Sequence, residues 1–399
     1  MASTETLEDI KARIEQVTPE EAQNEVEAGD AVLVDTRDAV NRQEVRIDGD
    51  EFAPAGNGGV QSHTEEFGDR VAELAGDRSK RVLVYCNVGN RSAVAADALT
   101  REHGFENVAS IEGGIAGWEA AGLPVVVPEG MSAEQRNRYS RHTLLPEVGV
   151  EGQLKMLNAK VLLVGAGGLG APAALYLAAA GIGTLGLVDD DEVDESNLQR
   201  QVIHNTERVG MPKTESARKT IESLNPDVDV VEHRMRLDAS NILDIISDYD
   251  VIVDGADNFP TRYLLNDASV RLRKPVVSAS ILAFDGQIST FVPFEGPCYR
   301  CLYPTPPPAE LAPSCGAAGV LGVMAGVMGL LQANEVIKLV IGIGEPLIGR
   351  LLLYDSLGTR FTELKVRRDP ECPICGSNAE EIPESELGNF PDYELFCAA

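Results

Sequence analysis

Positive charge is scarce in this chain. Lys and Arg number 34 against 63 Asp and Glu, a formal net charge of −29. A surface this acidic repels phosphate backbones, which excludes nucleic acid as a partner class. Such self-repulsion is best tolerated where salt screens it, so a halophilic source is expected. Aromatic residues are also few, 5% with a single Trp. Seven cysteines, an odd number partly grouped as CxxC pairs, make no disulfide ladder and point to a reducing, cytoplasmic setting. The opening MASTETLEDIKARIEQ is charged and has no apolar h-region, so no signal peptide is expected there. The five histidines (His63, His103, His142, His204, His233) follow no triad or ligand spacing and are expected to fill ordinary polar roles. Long apolar runs are absent but for one, from Gly316, which Gln332, Asn334, Glu335 and Lys338 interrupt. It reads as a buried, tightly packed helix rather than a membrane span.

What is present suits two domains. Hydrophobic residues make up 44% of the chain, enough for proper cores. Residues 1–126 read as a small α/β domain around AVLVD (31–35) and RVLVY (81–85), with Gly- and Asp-rich loop at 46–62. Residues 127–132 read as a linker, and 133–376 as a second domain. There, strands at KVLLV, TLGLVDDD (184–191), YDVIVDGADN (249–258) and KPVVSAS (274–280) alternate with helical patterns, which predicts a Rossmann-like doubly wound sheet. GQISTFVP (286–293) and RLLLYDS (350–356) are expected to add late antiparallel strands. Residues 377–399 read as an acidic, mobile tail in which Cys397 is incidental.

CNVGNRS (86–92) follows a buried strand and precedes a helix expected to start at Ser92. A loop at that place turns its N–H groups inward over the positive helix end, where a thiolate on Cys86 is stabilised. Arg91 adds charge. The loop resembles that of the rhodanese sulfurtransferases, with EGGIAGWEAAGLPV (112–125) and LVDTR (33–37) matching two further segments. Four residues separate Cys86 from Arg91, the smaller ring of sulfur transfer; related phosphatases have one residue more. RIDGDEFAPAGNGGV, after the first strand, departs from the rhodanese pattern.

The second domain carries Gly165-Ala-Gly167-Gly168-Leu-Gly170 after its first strand and Asp189 at the end of the next. Glycines there let phosphate or ribose approach a helix N-terminus, and a carboxylate can bind ribose hydroxyls; NAD and ATP are served equally. Arg200, Lys213 and the amide of Asn197 favour a triphosphate, whose charge must be offset. Asp257, in DGADN, stands where it could hold Mg²⁺. In this order the motifs resemble the MoeB/ThiF family, relatives of the ubiquitin-activating enzymes. The resemblance covers most of 133–376, from RYSRH (138–142) to CPIC. It implies adenylation, with Mg·ATP, of the C-terminal glycine of a ubiquitin-like β-grasp carrier ending in Gly-Gly. It assigns nucleotide and metal binding to Gly165, Gly167, Gly168, Gly170, Asp189, Ser196, Asn197, Leu198, Gln199, Arg200, Lys213, Asp257 and Asn258. Arg141 resembles an arginine that reaches the partner subunit's site, which implies a homodimer.

Cys298-x-x-Cys301 and Cys372-x-x-Cys375, with 70 residues between the pairs, suit a closed tetrahedral zinc site of structural type. Cys315 is left over; at this loop position the family implies sulfur transfer or covalent attachment. The combined expectation is carrier adenylation coupled to transfer of persulfide sulfur from Cys86, the sulfur coming from a desulfurase or thiosulfate. The product would be a thiocarboxylate for molybdopterin, thiamine or tRNA thiolation, or an activated carrier for conjugation. A zinc-containing NAD(P) oxidoreductase with a regulatory rhodanese domain is the alternative.

Overall fold

The computed structural model of this chain describes residues 6–127, 130–306, 319–377, 379 and 388–398. Contacts divide it into two compact units, Met1–Glu151 and Gly152–Ala399.

The first unit runs α1 (Leu7–Arg13), β1 (Glu15–Val17), α2 (Pro19–Glu27), β2 (Ala31–Asp35), α3 (Ala39–Glu44), β3 (Arg46–Ile47), β4 (Glu51–Phe52), α4 (Glu65–Ala75), β5 (Arg81–Tyr85), α5 (Asn90–Arg101), β6 (Asn107–Ile111), α6 (Gly114–Ala120), β7 (Val125–Val126) and α7 (Ala133–Thr143). Its parallel sheet has the order β1-β6-β5-β2-β4. The β-branched runs of β2 and β5 are buried on both faces, as parallel strands require, and Val34, Val82 and Val84 are fully inaccessible. Each such side chain contributes about 2 kcal/mol of burial. Helix starts are set locally: Thr18 and Glu21 form a reciprocal capping box before Pro19, the first residue of α2. The 46–62 segment is more ordered than its glycines suggest. It forms β3, which pairs antiparallel with β7, then β4 on the sheet edge, and a 3-10 stretch at Asn57–His63. Asp50 organises it by accepting from Arg42, Arg46 and Tyr85.

The second unit holds most of α8 (Gly149–Asn158), then β8 (Lys160–Val164), α9 (Gly170–Ala180), β9 (Thr184–Val188), α10 (Lys213–Leu224), β10 (Asp229–His233), α11 (Ile242–Ser247), β11 (Val251–Asp254), α12 (Phe259–Arg271), β12 (Val276–Leu282), β13 (Asp285–Phe291), α13 (Tyr299–Leu302), α14 (Gly322–Ile341), β14 (Arg350–Asp355), β15 (Arg360–Lys365) and α15 (Tyr393–Ala398). The sheet order is β10-β9-β8-β11-β12-β13-β14-β15. It is parallel from β10 to β12 and antiparallel from there on. The chain leaves β8 on one side for β9 and returns on the other at β11. That reversal is the switch point at which open α/β sheets bind ligands.

The apolar helix α14 is long and apolar enough to cross a membrane, yet half of that stretch is buried. Two of its polar side chains face the sheet: Gln332 donates to the carbonyls of Asp254 and Val277, and Glu335 accepts from Thr290 and the Leu347 N–H. Part of the expected mobile tail is packed. Tyr393 is buried and donates to Asp267 at 2.6 Å, while Phe396 sets its ring edge-on to Tyr263. Cys397 packs against the same core cluster.

Candidate functional site

In the first unit, Cys86 follows the central strand β5 and is buried, 3% exposed. The helix after it starts at Asn90, two residues before the expected Ser92, because Gly89 takes a left-handed φ of 82° and turns the chain early. The loop is clamped from beneath. Ile115 N–H donates to the Cys86 carbonyl and Ala116 N–H to that of Asn87. Gly114 is needed there, since a Cβ would collide with the Cys86 carbonyl. Ser92 Oγ lies 3.5 Å from Cys86 Sγ and receives a hydrogen bond from Ser110 at 2.9 Å. Arg91 lies 3.7 Å from Asp38. Arg37, itself buried and paired with Asp35, reaches Asn87 Oδ1 at 3.4 Å and the Val45 carbonyl at 2.6 Å. A single cysteine is thus held at the end of a central strand under a loop fixed by backbone hydrogen bonds.

In the second unit, the turns after β8 and β11 meet at the switch point. Gly255 N–H donates to the Val164 carbonyl, and a Cβ on Gly165 would stand 3.0 Å from the Gly255 carbonyl oxygen. A Cβ on Gly170 would collide with the Gly165 carbonyl. Gly167 and Gly168 are looser: their nearest neighbours would be Gln201 at 3.5 Å and Ala325 at 3.4 Å, with Arg200 next to Gly168. Asp189 accepts from Ala166 N–H at 2.8 Å and from Asp191 N–H. Burial pushes its carboxyl up, and Lys213, 3.9 Å away, pulls the other way. Lys213 is buried at the start of α10 and donates to Asp191 at 2.6 Å.

Ser196 and Asn197 sit in a 3-10 turn capped by Asp194, and Arg200 donates back to the Ser196 carbonyl. Leu198 is half-buried; Gln199 is exposed, and its carbonyl is where a Cβ on Gly322 would fall. Asp257 is exposed beyond β11, and Asn258 caps α12 by accepting from Thr261 N–H. Arg141 is exposed on α7, in the first unit. Cys315 lies outside the described residues. Hydrogen bonds and ion pairs therefore join Gly165–Gly170, Asp189 and Lys213 directly. One residue that sequence reasoning passed over belongs with them: His204 is buried beneath the turn, bonded to Ala166 and Ser216. No spacing in the sequence marks it, since only the fold brings Ala166 and Ser216 to it.

The four CxxC thiols converge. Cys298 Sγ lies 3.7 Å from Cys372 and 4.0 Å from Cys301, and Cys301 lies 3.4 Å from Cys375. All four lie within 4.8 Å of one another. Thiolates each about 2.3 Å from one zinc stand about 3.8 Å apart, so the donor set and spacing fit that ion. Asp369 N–H donates to Cys301 Sγ, and Arg368 ties the Cys375 carbonyl to that of Phe294. With all four positions taken by protein, the site suits a structural role.

The ThiF family profile matches residues 139–374. This chain belongs to the ThiF family. A rhodanese-like domain matches residues 18–121. A protein named sulfur carrier protein adenylyltransferase from Thermus thermophilus is 51% identical over 269 residues, covering 66% of this chain and 97% of that protein. The SAMP-activating enzyme E1 of Haloferax volcanii is 51% identical over 268 residues, covering 67% and 97%. Adenylyltransferase and sulfurtransferase MOCS3 of Drosophila yakuba is 49% identical over 261 residues, 65% of this chain but only 56% of that protein. Among solved structures, E. coli MccB with ATP aligns at a TM-score of 0.54 and 26% identity, over 63% of this chain and 77% of that one. The family uses ATP, and the oxidoreductase alternative finds no support in these comparisons.

Proposed function

We infer that the ThiF domain adenylates the C-terminal glycine of a ubiquitin-like sulfur carrier and that the rhodanese-like domain supplies sulfur to it. One observation carries this reading: a glycine turn, a partly buried carboxylate and a buried cation meet at the switch point of a chain that also holds a loop-clamped cysteine. The names of the relatives point the same way. Asp189 is placed to receive ribose hydroxyls, and the glycine turn to admit the phosphates at the α9 N-terminus. Lys213 and Arg200 offset the charge that repels an incoming carboxylate, and Asn197 adds an amide donor. Ser196, Leu198 and Gln199 shape the turn that holds them. Asp257, with Asn258 beside it, is available to a magnesium ion, which would neutralise phosphate charge. Arg141 completes the site of a partner subunit in a homodimer. No general base is needed, because the attacking carboxylate is already ionised.

The carboxylate attacks the α-phosphorus and pyrophosphate leaves, giving an acyl-adenylate. Cys86 thiolate takes the outer sulfur of thiosulfate, releasing sulfite, or receives sulfur from a desulfurase. The persulfide displaces AMP and forms an acyl disulfide. A second thiol splits that bond, releasing the thiocarboxylate and leaving a disulfide; Cys315 is the candidate within this chain. Arg91 and the inward N–H groups of the loop stabilise the anionic sulfur. The thiocarboxylate serves molybdopterin, thiamine or tRNA thiolation, and the adenylate alone serves conjugation.

Pyrophosphate exchange into ATP, with β-grasp proteins ending in Gly-Gly, tests the first half. Exchange that depends on the carrier is expected, and Cys86→Ala should leave it intact. A chain that exchanges with no such protein would contradict the adenylation reading.

A further inference from the structure

His204 lies under the glycine turn, 7% exposed, with both ring nitrogens engaged. Nε2 is 3.0 Å from the Ala166 carbonyl, and Nδ1 is 2.9 Å from Ser216 Oγ. A carbonyl can only accept, so Nε2 carries the proton and Nδ1 accepts from the serine hydroxyl. Ser216 sits one turn into α10, the helix that Lys213 begins. The imidazole therefore splints the glycine turn to the element bearing the buried cation. From the other side, Asp189 accepts from the Ala166 N–H.

This clamp has a consequence for the next amide. In a planar trans peptide the C=O and the following N–H point in opposite directions. A carbonyl of Ala166 drawn inward to His204 turns the Gly167 N–H outward. That N–H has no partner among the described residues. Gly167 is only half-buried, and a Cβ there would meet nothing nearer than Gln201 at 3.5 Å.

We propose that His204 is a positioning residue: it fixes the Ala166–Gly167 peptide plane so that the Gly167 N–H is presented to a phosphate oxygen of the bound nucleotide. The inference rests on the adenylation reading for its ligand. His204 touches neither phosphate nor carrier and acts only through the peptide it holds. The chemistry it serves is anion recognition, so it affects ATP and leaves the uncharged adenosine half of the molecule alone.

The test is calorimetric titration of the full chain with ATP and, separately, with adenosine, for the wild type and two variants. His204→Asn keeps an acceptor for Ser216 but no longer reaches Ala166. His204→Gln keeps an N–H donor at the distance of Nε2. Loss of one such donor should weaken ATP about tenfold in His204→Asn, with adenosine unchanged and most of the loss restored in His204→Gln. Unchanged ATP affinity in His204→Asn, or equal weakening of ATP and adenosine, would overturn the proposal. A wild type that binds no ATP would instead overturn the adenylation reading itself. Should His204→Asn not fold, the wild type still decides: histidine side-chain nitrogen NMR must show one imidazole, absent in His204→Gln, protonated at Nε2 and bare at Nδ1. The opposite tautomer would contradict the geometry.

Discussion

His204 also shows how one buried side chain makes stability depend on pH. Burial, with the Lys213 and Arg208 cations nearby, pushes its imidazole down to about 4 from an ordinary 6.5, although the Ala166 carbonyl favours the charged form. In the unfolded chain it gains a proton as pH falls through 6.5, but in the folded chain not until about 4. The folded state binds fewer protons in that window. Its stabilising share is therefore complete above 6.5 and is lost as pH falls towards 4, by about 3 kcal/mol. Denaturant titrations of wild type and His204→Gln at pH 7.5 and 4.5 should show the wild type losing more stability on acidification by roughly that amount; parallel losses would contradict the assignment. Nothing in the spacing of five histidines distinguishes His204, because its role is set by a carbonyl and a serine that only the fold brings near. Gly165, Gly170, Asp189 and Lys213 were legible because each obeys a local rule: a turn after a strand, a carboxylate at a strand end, a cation at a helix start. Asp191, which bonds Lys213, was invisible for the same reason as His204.

At the scale of elements, the strands announced by continuous β-branched runs are those buried on both faces, β2, β5, β8 and β11. The missed ones lack that signal. All six residues of β15 are exposed, so its sequence RFTELK carries no burial pattern, and β1 is only three residues long. The 46–62 segment reads as loop because its order comes from Asp50 and its cation partners rather than from an apolar pattern. The four-cysteine knuckle joins α13 to the segment after β15, and two further contacts brace it. Arg300, between Cys298 and Cys301, forms a fork with buried Asp267, which also accepts from Tyr393 of α15. Replacing Cys372 by Ser should release zinc and cost about 4 kcal/mol or more of stability, since loss of a metal ranks with the largest single-site effects. Metal analysis should find one zinc per chain in the wild type and little in the variant. Equal stability with zinc lost would leave the knuckle without its structural role. In Gly170→Ala, the new methyl and the Gly165 carbonyl compete for one place, so ATP binding should fall well over tenfold without a comparable loss of fold.

At the scale of the whole molecule, two units hold two chemistries. The rhodanese-like domain comes first in the chain and the ThiF domain second, each with its own sheet. The net charge of −29 spreads over both. Salt at molar levels should therefore raise the unfolding midpoint of the wild type, because the self-repulsion of the compact state is screened beyond about 3 Å there. The domain pairing matters more, since adenylation alone would activate a carrier whereas adenylation coupled to a sulfurtransferase domain would convert it. The most direct test is the intact mass of a β-grasp carrier ending in Gly-Gly after incubation with the full chain, ATP, magnesium, thiosulfate and a dithiol. The account predicts a carrier heavier by the exchange of one oxygen for sulfur, and predicts that Cys86→Ala abolishes this gain while pyrophosphate exchange continues. A carrier converted equally well by Cys86→Ala, or one that exchanges but never gains sulfur with the wild type, would contradict it.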